Sequence, residues 1–246
     1  METHTDLIEL LQHARHVAVL TGAGVSAESG IPTFRDAQTG MWAQFDPEEL
    51  ASPAGFRRNP RLIWEWYAWR RELVAKAEPN PGHLALAELE RRVPRLTLIT
   101  QNVDGLHQRA GSAAPIELHG NIGRVTCSAE GVVIEQWDEA GDELPPRCPR
   151  CGAHLRPDVV WFGELLPEEA MAAAWDAARS CDLFLSIGTS GLVEPAASLP
   201  RVALQSGATV VVINLDVTTA ARPPLYTINA RSGELLPKLL RAAWPT

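Results

Sequence analysis

His16-Val-Ala-Val-Leu-Thr-Gly-Ala-Gly-Val-Ser-Ala27 is the stretch on which the fold turns. Its first five residues form a short apolar run of the kind that makes a buried strand, running into Thr21-Gly-Ala-Gly24. Gly22, Gly24 and Ala27 fit the spacing G-x-G-x-x-[GA] at a strand-to-helix turn. In that setting backbone N–H groups can approach a pyrophosphate lying on the positive end of the helix, so Gly22, Ala23, Gly24 and Ala27 are candidate contacts. The hexapeptide also suits a glycine-rich turn that binds nothing. A dinucleotide-binding dehydrogenase would need an acidic residue about 20 positions further on. Asp36 comes too early for that and falls in a loop-like stretch, so something else must organise the far end of any dinucleotide.

Working outward, Leu7, Ile8, Leu10 and Leu11 have helical spacing behind Thr5-Asp6, a plausible cap. Residues 31 to 60 are rich in turn formers and read as irregular. Arg61 to Ala77 reads as a helix carrying Trp64, Trp66 and Trp69, broken by Pro79-Asn-Pro81-Gly82 and resumed from His83 to Arg92. Strands are predicted at Arg95–Thr100, Pro115–Leu118, Asp182–Ile187 and Ala208–Ile213, and helices at Pro167–Arg179 and Gly233–Ala243. Short apolar strands between helices predict an α/β fold with a parallel sheet covered on both faces. Residues 122 to 157 break the rhythm and read as an inserted small module, because they hold three of the four cysteines and the Pro145-Pro146 pair.

A net charge of −8 without a long basic run argues against a nucleic-acid partner. No stretch approaches the roughly 20 apolar residues of a membrane span. The first fifteen residues lack the pattern of a signal peptide, so a cytoplasmic protein is expected. Four cysteines in 246 residues do not make a disulfide framework, whereas Cys148-Pro-Arg-Cys151 has metal-knuckle or redox spacing.

The segment Gly22-Ala-Gly-Val-Ser-Ala-Glu-Ser-Gly-Ile-Pro-Thr-Phe-Arg-Asp36 resembles the signature of the sirtuins, the NAD-dependent protein deacylases. So do Thr100-Gln-Asn-Val-Asp-Gly-Leu-His107 and Glu117-Leu-His-Gly120. Val159-Val-Trp-Phe-Gly-Glu164, Gly188-Thr-Ser190 and Ile213-Asn-Leu-Asp216 follow in the family's order, so the resemblance runs from about His16 to Leu240. It implies a Rossmann-like large part near 1–37, 83–121 and 158–246. A small part, helical near 38–82 and zinc-ribbon-like near 122–157, would leave a cleft for NAD and an acyl-lysine peptide.

By this resemblance His119 is the general base for the NAD ribose hydroxyls, and an ordinary histidine pKa near ~6.5 suits the task. Asn102 and Gln101 line the ribose, and Asp104 holds the nicotinamide carboxamide, although an Asp at that point would also cap a helix. Phe34 shields the reacting sugar carbon and Arg35 helps to place NAD. Gly188, Thr189, Ser190, Asn214, Leu215, Asp216 and Ser232 fall where the family contacts the adenosine half, Ser232 replacing the usual alanine. Val159, Val160, Phe162, Gly163 and Glu164 form one edge, and Val193 in Gly191–Glu194 the other, between which a substrate backbone adds as an extended strand. The implied reaction transfers the acyl group from lysine to the ribose, releasing nicotinamide and O-acyl-ADP-ribose. The same fold could serve a mono-ADP-ribosyltransferase, an NAD hydrolase or a non-catalytic NAD sensor.

Two further features concern specificity and metal. Tyr67 and Arg70 lie three apart on a predicted helix and share a face, which makes a receptor for a carboxylate. A bacterial branch of the family carries Tyr-x-x-Arg here for succinyl and malonyl groups, and Ala51 matches that branch's small pocket residue. The family's zinc site has two C-x-x-C knuckles, of which the second, Cys148 and Cys151, is intact. The first is Cys127-Ser-Ala-Glu130, with glutamate in place of the second cysteine. Structural zinc on Cys127, Cys148 and Cys151 is expected, with Glu130, His154 or water as the fourth ligand. Loose binding and a metal-free module remain open alternatives.

Overall fold

The computed structural model describes residues 4–32, 46–137, 143–215 and 222–245. Phe34, Arg35 and Asp216 lie outside the described residues. Six parallel strands form the main sheet: β1 (Val17–Thr21), β2 (Leu96–Thr100), β3 (Ile116–Glu117), β6 (Leu183–Ile187), β7 (Thr209–Asn214) and β8 (Leu225–Asn229). Their order is β3-β2-β1-β6-β7-β8, so the chain winds outward from β1 in one direction and then in the other. The parallel, Rossmann-like sheet is the one expected from the sequence.

Both faces are covered, and alternation along each strand decides which side chain goes where. Val17 and Val19 of β1, with Leu183 and Leu185 of β6, face helices α1 (His4–His13), α6 (Pro81–Arg92) and α10 (Ser232–Ala243), which bring Leu7, Leu11, Leu86, Leu89, Leu236 and Leu239. Ala18, Leu20 and Phe184 face the other layer, α8 (Glu168–Ser180) and α9 (Leu199–Gln205), through Ala174, Ala177, Ala178 and Ala203. The small alanine face of α8 lets that helix approach the sheet closely.

Several expectations need adjustment. The strand at residues 115–118 pairs over only two residues of the sheet edge. The helix opened by the glycine motif, α2 (Ala23–Ala27), is only five residues long. The stretch read as irregular holds two short helices, α3 (Pro47–Leu50) and α4 (Pro53–Arg58). The Ser52 hydroxyl caps α4 by accepting Gly55 N–H, and the Asn59 amide oxygen caps α5 (Pro60–Lys76) by accepting Leu62 N–H, each with proline at the first helical turn. Asn80-Pro81 repeats the device for α6, where the His83 ring accepts the Asn80 N–H in return.

Residues between β3 and α8 leave the sheet as a two-stranded antiparallel ribbon of β4 (Gly120–Cys127) and β5 (Leu155–Val159). Its small core contains Val125, Cys127, Ile134, Cys148 and Leu155 and is sealed by Trp64 of α5. Helix α5 also turns Trp66 and Tyr67 into a separate cluster with Leu50, Ala51, Phe56, Ile122 and Trp161. One helix therefore buttresses both the ribbon and the apolar cluster beside it. No helix among the described residues is long and apolar enough to cross a membrane.

Candidate active site

The carboxyl ends of the central strands meet where the sheet order reverses, the usual ligand position in open parallel sheets. Glycines permit a tight crossing there. Gly22 N–H donates to Ile187 O at 3.1 Å and Gly24 N–H to Gly188 O at 2.8 Å. A Cβ on Gly24 would lie 2.8 Å from Gly188, and one on Gly188 would lie 2.6 Å from Val25 N. The motif therefore serves first to cross its own chain, with Gly188 in the left-handed region at φ 61°.

His119 stands just past β3, half-buried. Its Nδ1 lies 2.9 Å from Gln101 O, so Nδ1 carries the proton and donates it, leaving the Nε2 lone pair available. Burial lowers its pKa below the ordinary histidine value, the Gln101 carbonyl offsetting part of the effect, so the ring is neutral at pH 7. Gln101 reaches the other way as well, its amide donating to Thr189 Oγ1 at 3.0 Å. Asn214 at the end of β7 donates to Thr189 O at 3.0 Å. Ser190 and Leu215 are exposed on the same rim.

Asn102 and Asp104 are both buried and converge on Ser26 of α2. The Asn102 amide donates to Ser26 Oγ and to Gly22 O, each at 3.0 Å. Ser26 Oγ donates to Asp104 Oδ2 at 2.7 Å, while Asp104 Oδ1 accepts Leu106 N–H at the start of α7 (Leu106–Arg109). Asp104 therefore has the capping bond as well as a bond within the site. His83 Nε2 lies 3.4 Å from Ser26 Oγ. Because His83 Nδ1 accepts from Asn80, Nε2 bears the proton, and a chain of donors runs His83 to Ser26 to Asp104. Behind it His107 Nε2 lies 2.9 Å from Thr21 Oγ1, which donates to Thr100 Oγ1. Burial pushes the His107 pKa down to about 3, with His83 adding to the effect.

Sequence reasoning singled out neither Ser26, His83 nor His107 as site residues. All three lie in or beside the quoted motifs, but a motif does not show which of its members point inward together. Ser232, at the start of α10, is buried, and its hydroxyl donates to Glu28 Oε1 at 2.7 Å.

Tyr67 is fully buried, with Arg70 beside it. The guanidinium lies 6.0 Å from the Tyr67 ring centre and 5.0 Å from that of Trp66. Burial lowers the Arg70 pKa, opposed by Tyr67 and by Asp104. Trp161, another residue the sequence reading passed over, donates its indole N–H to Tyr67 Oη at 3.0 Å. Arg156 stacks on Trp161 at 3.4 Å, and Glu164 holds both the Arg156 guanidinium and the Trp161 N–H. The pairing of β5 stops at Val159, and Val160 N–H donates to His119 O. Phe162 N–H then donates to Ala51 O, and Gly163 turns the chain at φ 87°. The segment at 159–164 is thus a strand end followed by a turn, with Phe162 exposed on one side. Gly191–Glu194 is irregular, with Leu192 and Val193 exposed.

Residues 22–195, most of the chain, match the model of the Sir2 family. The chain belongs to the Sir2 family. A protein of Methylococcus capsulatus named NAD-dependent protein deacylase is 53% identical, over 98% of each chain. The crystal structure of a Sir2 homologue in complex with NAD superposes with a TM-score of 0.86 at 43% identity, over 97% of this chain and 93% of that one. A Sir2 protein bound to an acetylated peptide gives 0.84 at 30% identity, over 98% of each chain.

Of the zinc site expected from the sequence, the ribbon brings three candidate ligands together. The sulfurs of Cys127, Cys148 and Cys151 all lie within 4.8 Å of one another, and Cys127 and Cys151 are 3.4 Å apart. Tetrahedral zinc with bonds of about 2.3 Å would space its sulfurs by about 3.8 Å. Neither Glu130 nor His154 has an atom in this cluster.

Proposed function

We propose that this Sir2 protein removes acyl groups from protein lysines at the expense of NAD, with a channel suited to acyl groups that end in a carboxylate, such as succinyl and malonyl. When bound, NAD supplies the ribose that takes over the acyl group, giving nicotinamide and O-acyl-ADP-ribose. The observation that carries the reading is His119, neutral and fixed through Nδ1 on Gln101, with Nε2 left to take a proton from a sugar hydroxyl.

The remaining residues divide the work of binding. Gln101, Asn102 and Asp104 offer amide and carboxylate groups to the ribose and nicotinamide. The rim at Thr189, Ser190, Asn214 and Leu215 takes the adenosine half, where exposed Leu215 offers an apolar face to a base. The crossing of Gly22, Ala23, Gly24, Ala27 and Gly188 leaves backbone for the phosphates. Because the Glu164 carboxylate is committed to Arg156, its segment and Val193 offer an extended substrate mainly backbone groups.

The acidic-acyl preference rests on Arg70 and Tyr67, packed beside Ala51, Trp66 and Trp161. The Arg70 guanidinium is charged at neutral pH, and its planar fork of donors matches the two oxygens of a carboxylate. Trp161 holds the phenol oxygen from one side, which leaves the phenol O–H as a donor to the acyl end.

Incubation with NAD and a succinyl-lysine peptide, read by mass spectrometry, tests the proposal. Expected are loss of the succinyl group and appearance of O-succinyl-ADP-ribose. Replacing His119 by Asn should lower turnover at least about 100-fold, and the acidic limb of wild-type kcat/KM should fall below pH 6.5, as burial of the base requires. ADP-ribosylated peptide would show a transferase, free ADP-ribose with unchanged peptide a hydrolase, and no turnover a binding module.

A further inference from the structure

The tip of the ribbon makes the same turn twice. Cys127 N–H donates to Val132 O at 2.9 Å, and Gly131 N–H to Cys127 O at 2.9 Å. Likewise Cys148 N–H donates to Ala153 O at 2.7 Å, and Gly152 N–H to Cys148 O at 2.9 Å. Gly131 and Gly152 both sit in the left-handed region, at φ 67° and 76°. In this repeat Cys127 corresponds to Cys148, and Glu130 corresponds to Cys151. The second turn brings its first and fourth residues together as two thiols. The first turn, having the same backbone bonds, gives Glu130 the backbone position that Cys151 has in the second, on a carboxylate that lies outside the thiol cluster here and would have to turn in to become the last ligand of a tetrahedral metal.

In the structure the Glu130 carboxylate meets Arg150, its Oε2 lying 3.0 Å from Arg150 Nε. Arg150 is itself one of the two residues between the cysteines of the second turn. This pair is solvent-exposed, with 61% and 33% of the side chains accessible, and such pairs contribute little. It is therefore a weak competitor for a carboxylate that a dication on three thiolates would attract. The contact engages one carboxylate oxygen, so ligation by the other would keep Arg150 as the outer partner that ligating carboxylates usually have. His154 is the rival, since its Nδ1 is buried without a partner among the described residues. Its neighbour Ala153, however, packs into the ribbon core, which turns alternate side chains of this bridge to the opposite side.

We propose that Glu130 supplies the fourth ligand of a site made of three thiolates and one carboxylate, with Arg150 as its outer partner. The proposal rests on the reading of the cysteine cluster as a zinc site. An oxygen donor in the fourth position gives weaker zinc binding than four thiolates would, and a site that exchanges its metal more readily.

The test uses the whole protein, reduced and stripped of metal. Zinc affinity is measured by competition with a chromophoric chelator, and the ligand set by the absorption of the cobalt(II) form. The wild type should bind one zinc per chain. Glu130→Gln should weaken zinc binding at least about tenfold, and Arg150→Ala by less. Glu130→Cys should tighten it and move the cobalt bands to those of a four-thiolate site, a gain that misfolding cannot mimic. His154→Ala should leave both readouts unchanged. A wild type that takes up no zinc would remove the zinc reading together with the proposal. Zinc binding that Glu130→Gln changes less than about threefold, or that His154→Ala weakens instead, would overturn the proposal alone.

Discussion

At the scale of single residues, the proposed specificity comes from one partly buried guanidinium held against two aromatic rings. Arg70 lies against Trp66 and Tyr67, and burial lowers its pKa. A carboxylate on the incoming acyl group would gain a charge-assisted hydrogen bond from this guanidinium. A charge-assisted bond of this kind contributes about 1.5–3 kcal/mol, or roughly one to two decades in rate. Arg70→Met, which keeps the apolar length of the side chain, should therefore lower kcat/KM for succinyl-lysine peptides at least about tenfold while acetyl-lysine peptides lose much less. Equal losses on both substrates would remove the carboxylate from the pocket. Of this site, Tyr67, Arg70 and Ala51 were legible in the sequence, because helical spacing puts the first two on one face. Trp161 was not, because its partner Tyr67 is 94 residues away.

At the scale of elements, the crossing between the β1–α2 turn and the end of β6 is a tight joint beside the site. Gly188 combines a left-handed backbone with a would-be Cβ 2.6 Å from Val25 N, so its replacement meets rigid backbone as well as torsional strain. Gly207, at φ 93°, has the strain alone, since nothing lies within 4 Å of its would-be Cβ. A positive φ costs an alanine roughly 1–2 kcal/mol, and for a chain of this size each kcal/mol shifts Tm by about 2–4 °C. Gly207→Ala should thus lower Tm by a few degrees, and Gly188→Ala by clearly more, with NAD binding weakened as well. Equal shifts in a thermal melt would show that the crossing can relax. The glycine spacing was visible in the sequence, but its contact with Gly188 was not. The edge strand β8 escaped notice because Leu-Tyr-Thr-Ile-Asn229 is short and only half-buried, and so lacks the continuous apolar run that marked β1.

For the whole molecule, the buried histidines set how stability depends on pH. His16, His83, His107 and His119 are all held below the ordinary histidine value, each chiefly by burial. The unfolded chain takes up their protons near pH 6.5, whereas the folded chain does so only at lower pH. The stability they confer is therefore complete above pH 6.5 and is lost as the pH falls towards their folded values, for His107 down to about 3. Each contributes a slope of up to about 1.4 kcal/mol per pH unit in that window. Urea midpoints should fall steadily from pH 7 to pH 5, above the range in which carboxylates titrate. His107→Gln should flatten the slope, and a midpoint indifferent to pH over this window would contradict the burial.

What the sequence determined by itself was whatever depends on neighbours along the chain. Apolar runs made the strands, cap-and-proline pairs such as Asn59-Pro60 and Asn80-Pro81 started the helices, and short motifs at strand ends announced the family. Tertiary structure alone decided which polar groups meet. Ser26 lies 57 residues from His83 and 78 from Asp104, and its hydroxyl has a direction only because two strands and a capped helix end at one edge of the sheet. A hydrogen bond between distant residues leaves no periodicity in the chain, because its geometry is set by the packing of the elements that carry them.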